Sequence, residues 1–283
     1  MATREIDKAI FAWMGSKGSI TDWVISSFPQ NYPKLRYVEV FGGTARVLLD
    51  KMPSEVEIYN DFNSHLTNLF HCIRSHKEEF YEQLDQLIVS EDMYKYFYEN
   101  IDKSPNDIER AIRYFYIMSY CHKGKFNGGF SVIPDKNYIH KFETKKQTID
   151  WISKRMRNVL ITNKSYEKVI TANNTEDTLL YLDPPYVGTE SYYSKLAGAF
   201  TLQDHIKMRD LLKQHKGIFI VSYEADPLVN DLYSDFHIFG KTKYRPGKGS
   251  YVEEIIVSNI KNEINLFNDG SGNVDKFKSN TLF

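Results

Sequence analysis

Asp183 is followed at once by Pro184, Pro185 and Tyr186, and preceded by the apolar run Leu179-Leu180-Tyr181-Leu182. The two prolines have restricted φ and no N–H, so the turn is stiff and its carbonyls are free to accept hydrogen bonds. A carboxylate, free carbonyls and an aromatic plate suit an NH2 group on a planar ring. An ordinary loop after a strand is the plain alternative for these residues taken alone. The stretch Tyr37-Val38-Glu39-Val40-Phe41-Gly42-Gly43-Thr44-Ala45-Arg46 runs from strand-like residues into a Gly-Gly turn and then a helix pattern. That is the form of the first βα turn of a nucleotide-type site, where glycine lets a ligand approach the backbone. The full G-x-G-x-x-G spacing is absent. About 20 residues further on, Ile58-Tyr59-Asn60-Asp61 brings an acid to the end of a second strand, where a ribose diol is bound. Phe41 reads equally as a ligand contact or as core. Before all of these, Trp13-Met14-Gly15-Ser16-Lys17-Gly18 precedes a helix starting at Thr21 or Asp22. Lys17 requires a partner if enclosed, and a ligand carboxylate would serve, with Trp13 lining the same pocket.

Elements must hold these residues at one edge. Seven apolar, β-rich runs are present: Tyr37–Val40, Val56–Asn60, Val159–Thr162, Thr178–Asp183, Gly217–Ser222, Phe236–Gly240 and Val252–Ile260. Helix patterns flank several of them, with Thr201 as N-cap for Leu202–His215. Alternation of strand and helix predicts an α/β fold with a mostly parallel, seven-stranded sheet, and ligands bind beyond the carboxyl ends of its strands. The last two runs lack an intervening helix, which predicts an antiparallel strand at one end. Between Asn60 and Val159 the patterns are helical: Ser64–His76, Lys77–Val89, Met93–Glu99, Pro105–Met118 and Gln147–Arg157. A connection that long reads as an inserted domain. The expected division is therefore 1–62 with 159–262 as the catalytic domain, 63–158 as a helical insert, and 263–283 as a flexible polar tail.

Composition narrows the partners. The chain has 283 residues and a net charge of −1, yet Cys121–Lys164 holds ten Lys/Arg against three acids, a local excess of +7. A basic face on a neutral protein is what phosphate contact needs. Within it, Lys123-Gly124-Lys125-Phe126-Asn127-Gly128 carries an Asn-Gly hairpin signal near 123–132, and Lys123, Lys125 and Asn127 at its tip are candidates for entering a DNA groove. A purely structural hairpin is the other reading. Two cysteines form no disulfide framework and no zinc cluster. A reduced, cytoplasmic setting fits, the N-terminus lacks the pattern of a signal peptide, and no apolar run approaches the roughly 18 residues of a membrane span.

Taken together, Trp-x-Gly-x-Lys, Phe-Gly-Gly, Asn-Asp and Leu-Asp-Pro-Pro-Tyr closely resemble the Dam-type DNA adenine-specific methyltransferases, from about residue 10 to about residue 260 and in the family's order. The resemblance implies a methyltransferase (Rossmann-like) sheet with an inserted helical target-recognition domain. It also implies S-adenosylmethionine as cofactor, S-adenosylhomocysteine as product, no metal, and methylation of the adenine 6-amino group in duplex DNA. By position, Trp13, Lys17, Phe41, Gly43, Asp61, Ser165, Tyr166 and Asp183 match cofactor contacts, and Asp183, Pro184 and Tyr186 match the catalytic motif. Two departures are plain: Ala45 stands where a further glycine is frequent, and Ser165 where many relatives carry Asp or Glu. The Phe-Asn-Val-Pro stretch of GATC-specific members is absent around Phe126–Asp135.

The chemistry that follows needs the target base outside the duplex, because its amine is unreachable within the stack. Asp183 and the Pro184 carbonyl then accept the amine's hydrogens, and the carboxylate opposes charge developing on nitrogen. Tyr193 and Lys195, in the Ser191–Lys195 loop, are candidates for closing over the extruded base or touching DNA, as is Arg245 in a second basic stretch. The expected partner is double-stranded DNA, with no membrane and a monomeric chain. The rival readings are a methyltransferase on another planar amine (RNA adenine, cytosine or glutamine) and a non-catalytic DNA-binding relative. Solitary, restriction-linked and phage-borne enzymes share these residues.

Overall fold

Seven strands form one sheet in the order β3-β2-β1-β4-β5-β7-β6. They are β1 (Arg36–Glu39), β2 (Val56–Asn60), β3 (Val159–Thr162), β4 (Thr178–Leu182), β5 (Ile218–Glu224), β6 (His237–Arg245) and β7 (Ser250–Ser258). The computed structural model describes residues 9–13, 15–131, 139–188, 198–245 and 249–261, without the side chains of 139–144, 243–245 and 250. The pairings β1·β2, β1·β4, β2·β3 and β4·β5 are parallel, and β7 runs against both β5 and β6. The reversed strand is thus one place in from the edge, with β6 outside it. β4 is buried along its whole length, as expected for an apolar strand covered on both faces.

Ten helices are used below: α1 (Thr21–Ser26), α2 (Arg46–Asp50), α3 (Ser64–Ser75), α4 (Lys77–Leu84), α5 (Glu91–Glu99), α6 (Asp107–Tyr120), α7 (Ile139–Arg155), α8 (Tyr166–Ala172), α9 (Leu202–Lys213) and α10 (Pro227–Leu232). Local sequence explains their starts. Asn63, Ser90 and Asn106 accept N–H bonds from the first turns of α3, α5 and α6, and Thr201 forms a capping box with Asp204 at α9.

The two faces of the sheet are covered differently. One face packs α8, α9 and α10 through residues such as Val38, Leu180, Val169, Met208 and Val229. The other carries Tyr37, Tyr59 and Tyr181, and its core runs without interruption into α3–α7 through Phe70, Phe80, Phe115 and Ile152. Tyr59 on β2 meets Phe70 on α3 edge-on, with ring centroids 5.1 Å apart. The helices expected as an insert therefore share a core with the sheet. α7 returns to it through Arg155, whose guanidinium donates to both Glu57 oxygens at 2.5 and 2.8 Å and to the Leu48 carbonyl.

Three expectations change. The Asn127-Gly128 stretch forms a turn closed by the 2.8 Å bond from Gly128 N to Lys125 O, above a single antiparallel bridge between Cys121 and Phe130, in place of a paired hairpin. The cause is Phe126, which turns inward against Tyr98 and Tyr114 and takes the loop out of register for a ladder. The basic cluster is also less of a face than its count suggests. Lys145 donates to the Ala9 carbonyl, Lys146 pairs with Asp85, and Arg155 is tied to Glu57, because buried or half-buried cations find partners. Finally, β6 and β7 extend beyond the apolar runs as a two-stranded ribbon past the end of β5. The tail at 263–283 and the loop with Tyr193 and Lys195 lie outside the described residues.

Candidate active site

A cavity of about 1040 Å³ opens at the carboxyl edge of the sheet, as the topology requires. Trp13, Lys17, Phe41, Gly43, Asp61, Ser165, Tyr166, Asp183, Pro184 and Tyr186 all line it, and so do Lys123 and Lys125. Asn127 is exposed on its turn and is not among the lining residues. Arg245 ends β6.

The glycine turn and the acid of β2 are bound to one another. Asp61 accepts the Gly43 N–H at 2.8 Å through Oδ2 and the Asn63 N–H at 2.8 Å through Oδ1. Burial pushes its carboxyl pKa up, and these two N–H groups oppose the shift. A carboxylate has about four acceptor sites, so two backbone bonds leave capacity for a ligand hydroxyl. Gly42 lies so close to Tyr59 that a Cβ there would come 2.1 Å from the ring, and Tyr59 donates to the Gly43 carbonyl at 2.7 Å. Gly43 has φ of +49° and packs beside the Trp13 indole. Phe41 stacks on Tyr166 at 5.9 Å and meets Phe200 edge-on at 5.4 Å. Tyr166 donates to Asp204 at 3.2 Å, and Ser165 is the N-cap residue of α8.

Asp183 stands just past β4. Its Oδ1 accepts from Lys17 Nζ at 2.7 Å and from Ser222 Oγ at 3.2 Å, and Tyr181 and Ser222 share a hydroxyl–hydroxyl bond at 3.0 Å. Burial raises the Asp183 pKa, Lys17 pulls it back, and the charge of Glu254 pushes it up again. Lys17 is 3% exposed. Its ammonium also donates to the Tyr186 hydroxyl and sits 4.8 Å from the centre of that ring. The Tyr186 hydroxyl donates in turn to Glu254 Oε2 at 2.9 Å.

Sequence reasoning missed four participants. Glu39, at the end of β1, lines the cavity, accepts from Tyr37, and is raised by burial from 4.5 to about 8. Asn60 binds the Val40 and Lys164 carbonyls and the Lys164 N–H, wiring three strand ends together. Phe62, next to Asp61, is 55% exposed on the cavity wall. Glu254 is fully buried on β7.

A reversed seventh strand in a parallel sheet, with an edge cavity joining a glycine turn to an Asp-Pro-Pro-Tyr corner, defines a methyltransferase-type α/β protein. The chain belongs to the D12 class N6 adenine-specific DNA methyltransferase family, whose model matches residues 13–245. It is 29% identical over 281 residues to the type II methyltransferase M1.LlaDCHI of Lactococcus lactis subsp. cremoris, covering 88% of this chain and 94% of that one. It is 25% identical over 251 residues to the type II methyltransferase M.CviBI of Paramecium bursaria Chlorella virus NC1A, covering 84% and 91%. It is 24% identical over 234 residues to the DNA adenine methylase of Escherichia coli (strain K12), covering 77% and 82%. The chain is accordingly a DNA adenine-N6 methyltransferase, and its family implies S-adenosylmethionine as methyl donor and DNA as substrate. No helix among the described residues is long and apolar enough to cross a membrane.

Proposed function

We propose that this cavity serves both substrates of one reaction: transfer of a methyl group to the 6-amino group of an adenine turned out of duplex DNA, at specific sites. The observation that carries this reading is the common cavity that joins the Gly43–Asp61 turn to Asp183 and Tyr186. The cofactor half is the glycine turn with Trp13, Lys17, Phe41, Asp61, Ser165 and Tyr166. Its donor set fits S-adenosylmethionine: a backbone cradle where side chains are excluded at Gly42, an acid for the ribose diol, an aromatic cluster for the base, and an ammonium for the carboxylate. When bound, S-adenosylmethionine supplies an electrophilic methyl group on a sulfonium. No metal takes part.

The chain's own work is on the amine. The adenine nitrogen lone pair is delocalised into the ring and is a poor nucleophile. Asp183 Oδ and the Pro184 carbonyl accept its two hydrogens and favour a tetrahedral nitrogen. The carboxylate, set in a buried pocket where charge interactions are strong, stabilises the positive charge that develops there. Tyr186 gives the extruded ring a face to stack on, a gain of about 1–3 kcal/mol against a flipping cost of a few kcal/mol. Residues 63–158 serve as the target-recognition unit, and Lys123, Lys125, Asn127, Lys195, Tyr193 and Arg245 contact DNA. The protein acts as a monomer in the cytoplasm.

The test is transfer of labelled methyl from S-adenosylmethionine to unmethylated duplex DNA, followed by sequencing of the product for modified adenines. Asp183→Ala is expected to abolish transfer with the fold intact, and Lys17→Ala to raise the cofactor dissociation constant. Full activity of Asp183→Ala rejects the reading, and label on cytosine, RNA or protein favours the corresponding rival.

A further inference from the structure

The reversed direction of β7 has a chemical result. A parallel strand brings its last residues to the catalytic edge, whereas β7 brings its first half, so Glu254 pairs in register with Glu224 at the end of β5. Glu254 is 0% exposed. A buried carboxylate is unfavourable without compensating donors, and one donor is the Tyr186 hydroxyl at 2.9 Å. That hydroxyl also accepts from Lys17, whose ammonium donates to Asp183 Oδ1 at 2.7 Å. The order is therefore carboxylate, phenol, ammonium, carboxylate: Glu254, Tyr186, Lys17, Asp183.

Each link sets the next. A phenol has one hydrogen. Given to Glu254, it leaves the oxygen lone pairs for Lys17. Lys17 then has two fixed acceptors and stays against Asp183. Held at the hydroxyl as well as at Cβ, the ring of Tyr186 cannot tip.

We infer that Glu254 is the positioning residue of this site: through one hydrogen bond its carboxylate locks the Tyr186 plate and, through the phenol, holds Lys17 in place against Asp183. The inference rests on the proposed roles of Asp183 and Tyr186 and deepens them. Glu254 is not among the residues that line the cavity. Its effect is on the orientation of groups that do, and a small misplacement of such groups costs rate more than affinity.

The experiment uses the full chain, unmethylated bacterial genomic DNA and labelled S-adenosylmethionine. Single-turnover rates and cofactor dissociation constants are measured for Glu254→Ala, Glu254→Gln, Tyr186→Phe and the double variant Tyr186→Phe with Glu254→Ala. Glu254→Ala and Tyr186→Phe are each expected to slow transfer about tenfold, the rate equivalent of one net hydrogen bond, with a smaller change in the cofactor constant because Lys17 keeps its bond to Asp183. Glu254→Gln keeps an acceptor oxygen and is expected to recover most of the rate. The double variant is expected to be no slower than the worse single one, because both changes break the same bond. Multiplicative losses, a wild-type rate in Glu254→Ala, or a loss confined to cofactor affinity would overturn the inference. If Glu254→Ala fails to fold by circular dichroism, Tyr186→Phe and its combination with Glu254→Gln carry the same comparison. A dead Asp183→Ala beside wild-type rates for the Tyr186→Phe and Glu254 variants sinks this inference alone. An active Asp183→Ala sinks the reading beneath it.

Discussion

Glu39 occupies the end of β1, 2% exposed, with Tyr37 donating to it at 2.8 Å. Burial holds its pKa near 8 in the folded chain, against 4.5 for an ordinary glutamate. Between those two values the folded state keeps a proton that the unfolded chain has released. Stability therefore falls as pH rises through this window, by up to about 1.4 kcal/mol per pH unit. Glu39→Gln is neutral throughout and removes that term. Urea midpoints of the two proteins at pH 5.5, 7 and 8.5 should diverge, with the glutamine variant gaining as pH rises; parallel curves would show Glu39 ionised in the fold. Ala45 is the second residue where magnitudes decide. It sits at φ +57°, a region that costs an L-residue roughly 1–2 kcal/mol. A glycine there would relieve this strain but lose a buried methyl, worth about 0.8 kcal/mol, and add chain entropy of roughly 0.5–1 kcal/mol. The terms nearly cancel, so Ala45→Gly should be neutral within about 1 kcal/mol, which accounts for alanine at a position where glycine is frequent. Ala45→Val, β-branched and set in a packed core, should lose roughly 2 kcal/mol or more. Thermal melts of both variants check this.

At the scale of elements, α7 is fastened to the sheet by a buried ionic knot. Glu57 on β2 takes Lys51 at 2.5 Å and Arg155 through both oxygens. Lys51 also lies 4.1 Å from the Tyr37 ring centre, and burial brings its pKa down to about 8. Such a knot adds little over a well-packed apolar core, but deleting one member leaves buried charge uncompensated, at roughly 3–5 kcal/mol. Glu57→Ala should lower denaturant stability by about that amount; a loss like that of an exposed ion pair would mean water reaches Lys51. The strands of this sheet were legible because apolar, β-branched runs with breakers at both ends have few other meanings. The runs Val56–Asn60 and Val159–Thr162 coincide with β2 and β3. β6 was read too short and β7 was placed two residues too late, because their ribbon beyond β5 has no core to face and so carries no apolar pattern. The Lys17, Asp61 and Asp183 corner was legible from residue type beside punctuation. Glu39, Asn60 and Glu254 were not, since a buried polar residue declares its partner only when strands distant in sequence lie side by side.

For the whole molecule, DNA has to reach a cavity whose rim carries Lys123 and Lys125, while several other cations of the basic stretch are held internally. Net charge is −1, so attraction to phosphate is local. If each rim lysine meets a phosphate, its replacement by Ala should reduce the slope of log K against log salt by about 1, with little change in sequence preference. Fluorescence anisotropy on duplex DNA over a range of NaCl measures this; an unchanged slope would assign the lysines to the cofactor side. The placing of β7 between β5 and β6 also bears on how the protein is made. Of the seven strands, it is the last that the ribosome releases, and it must slot between two neighbours already synthesised. Until residues 250–258 emerge, β5 has an open edge and Tyr186 lacks its acid. A nascent copy that stops short of β7 thus carries its catalytic corner with the brace still missing.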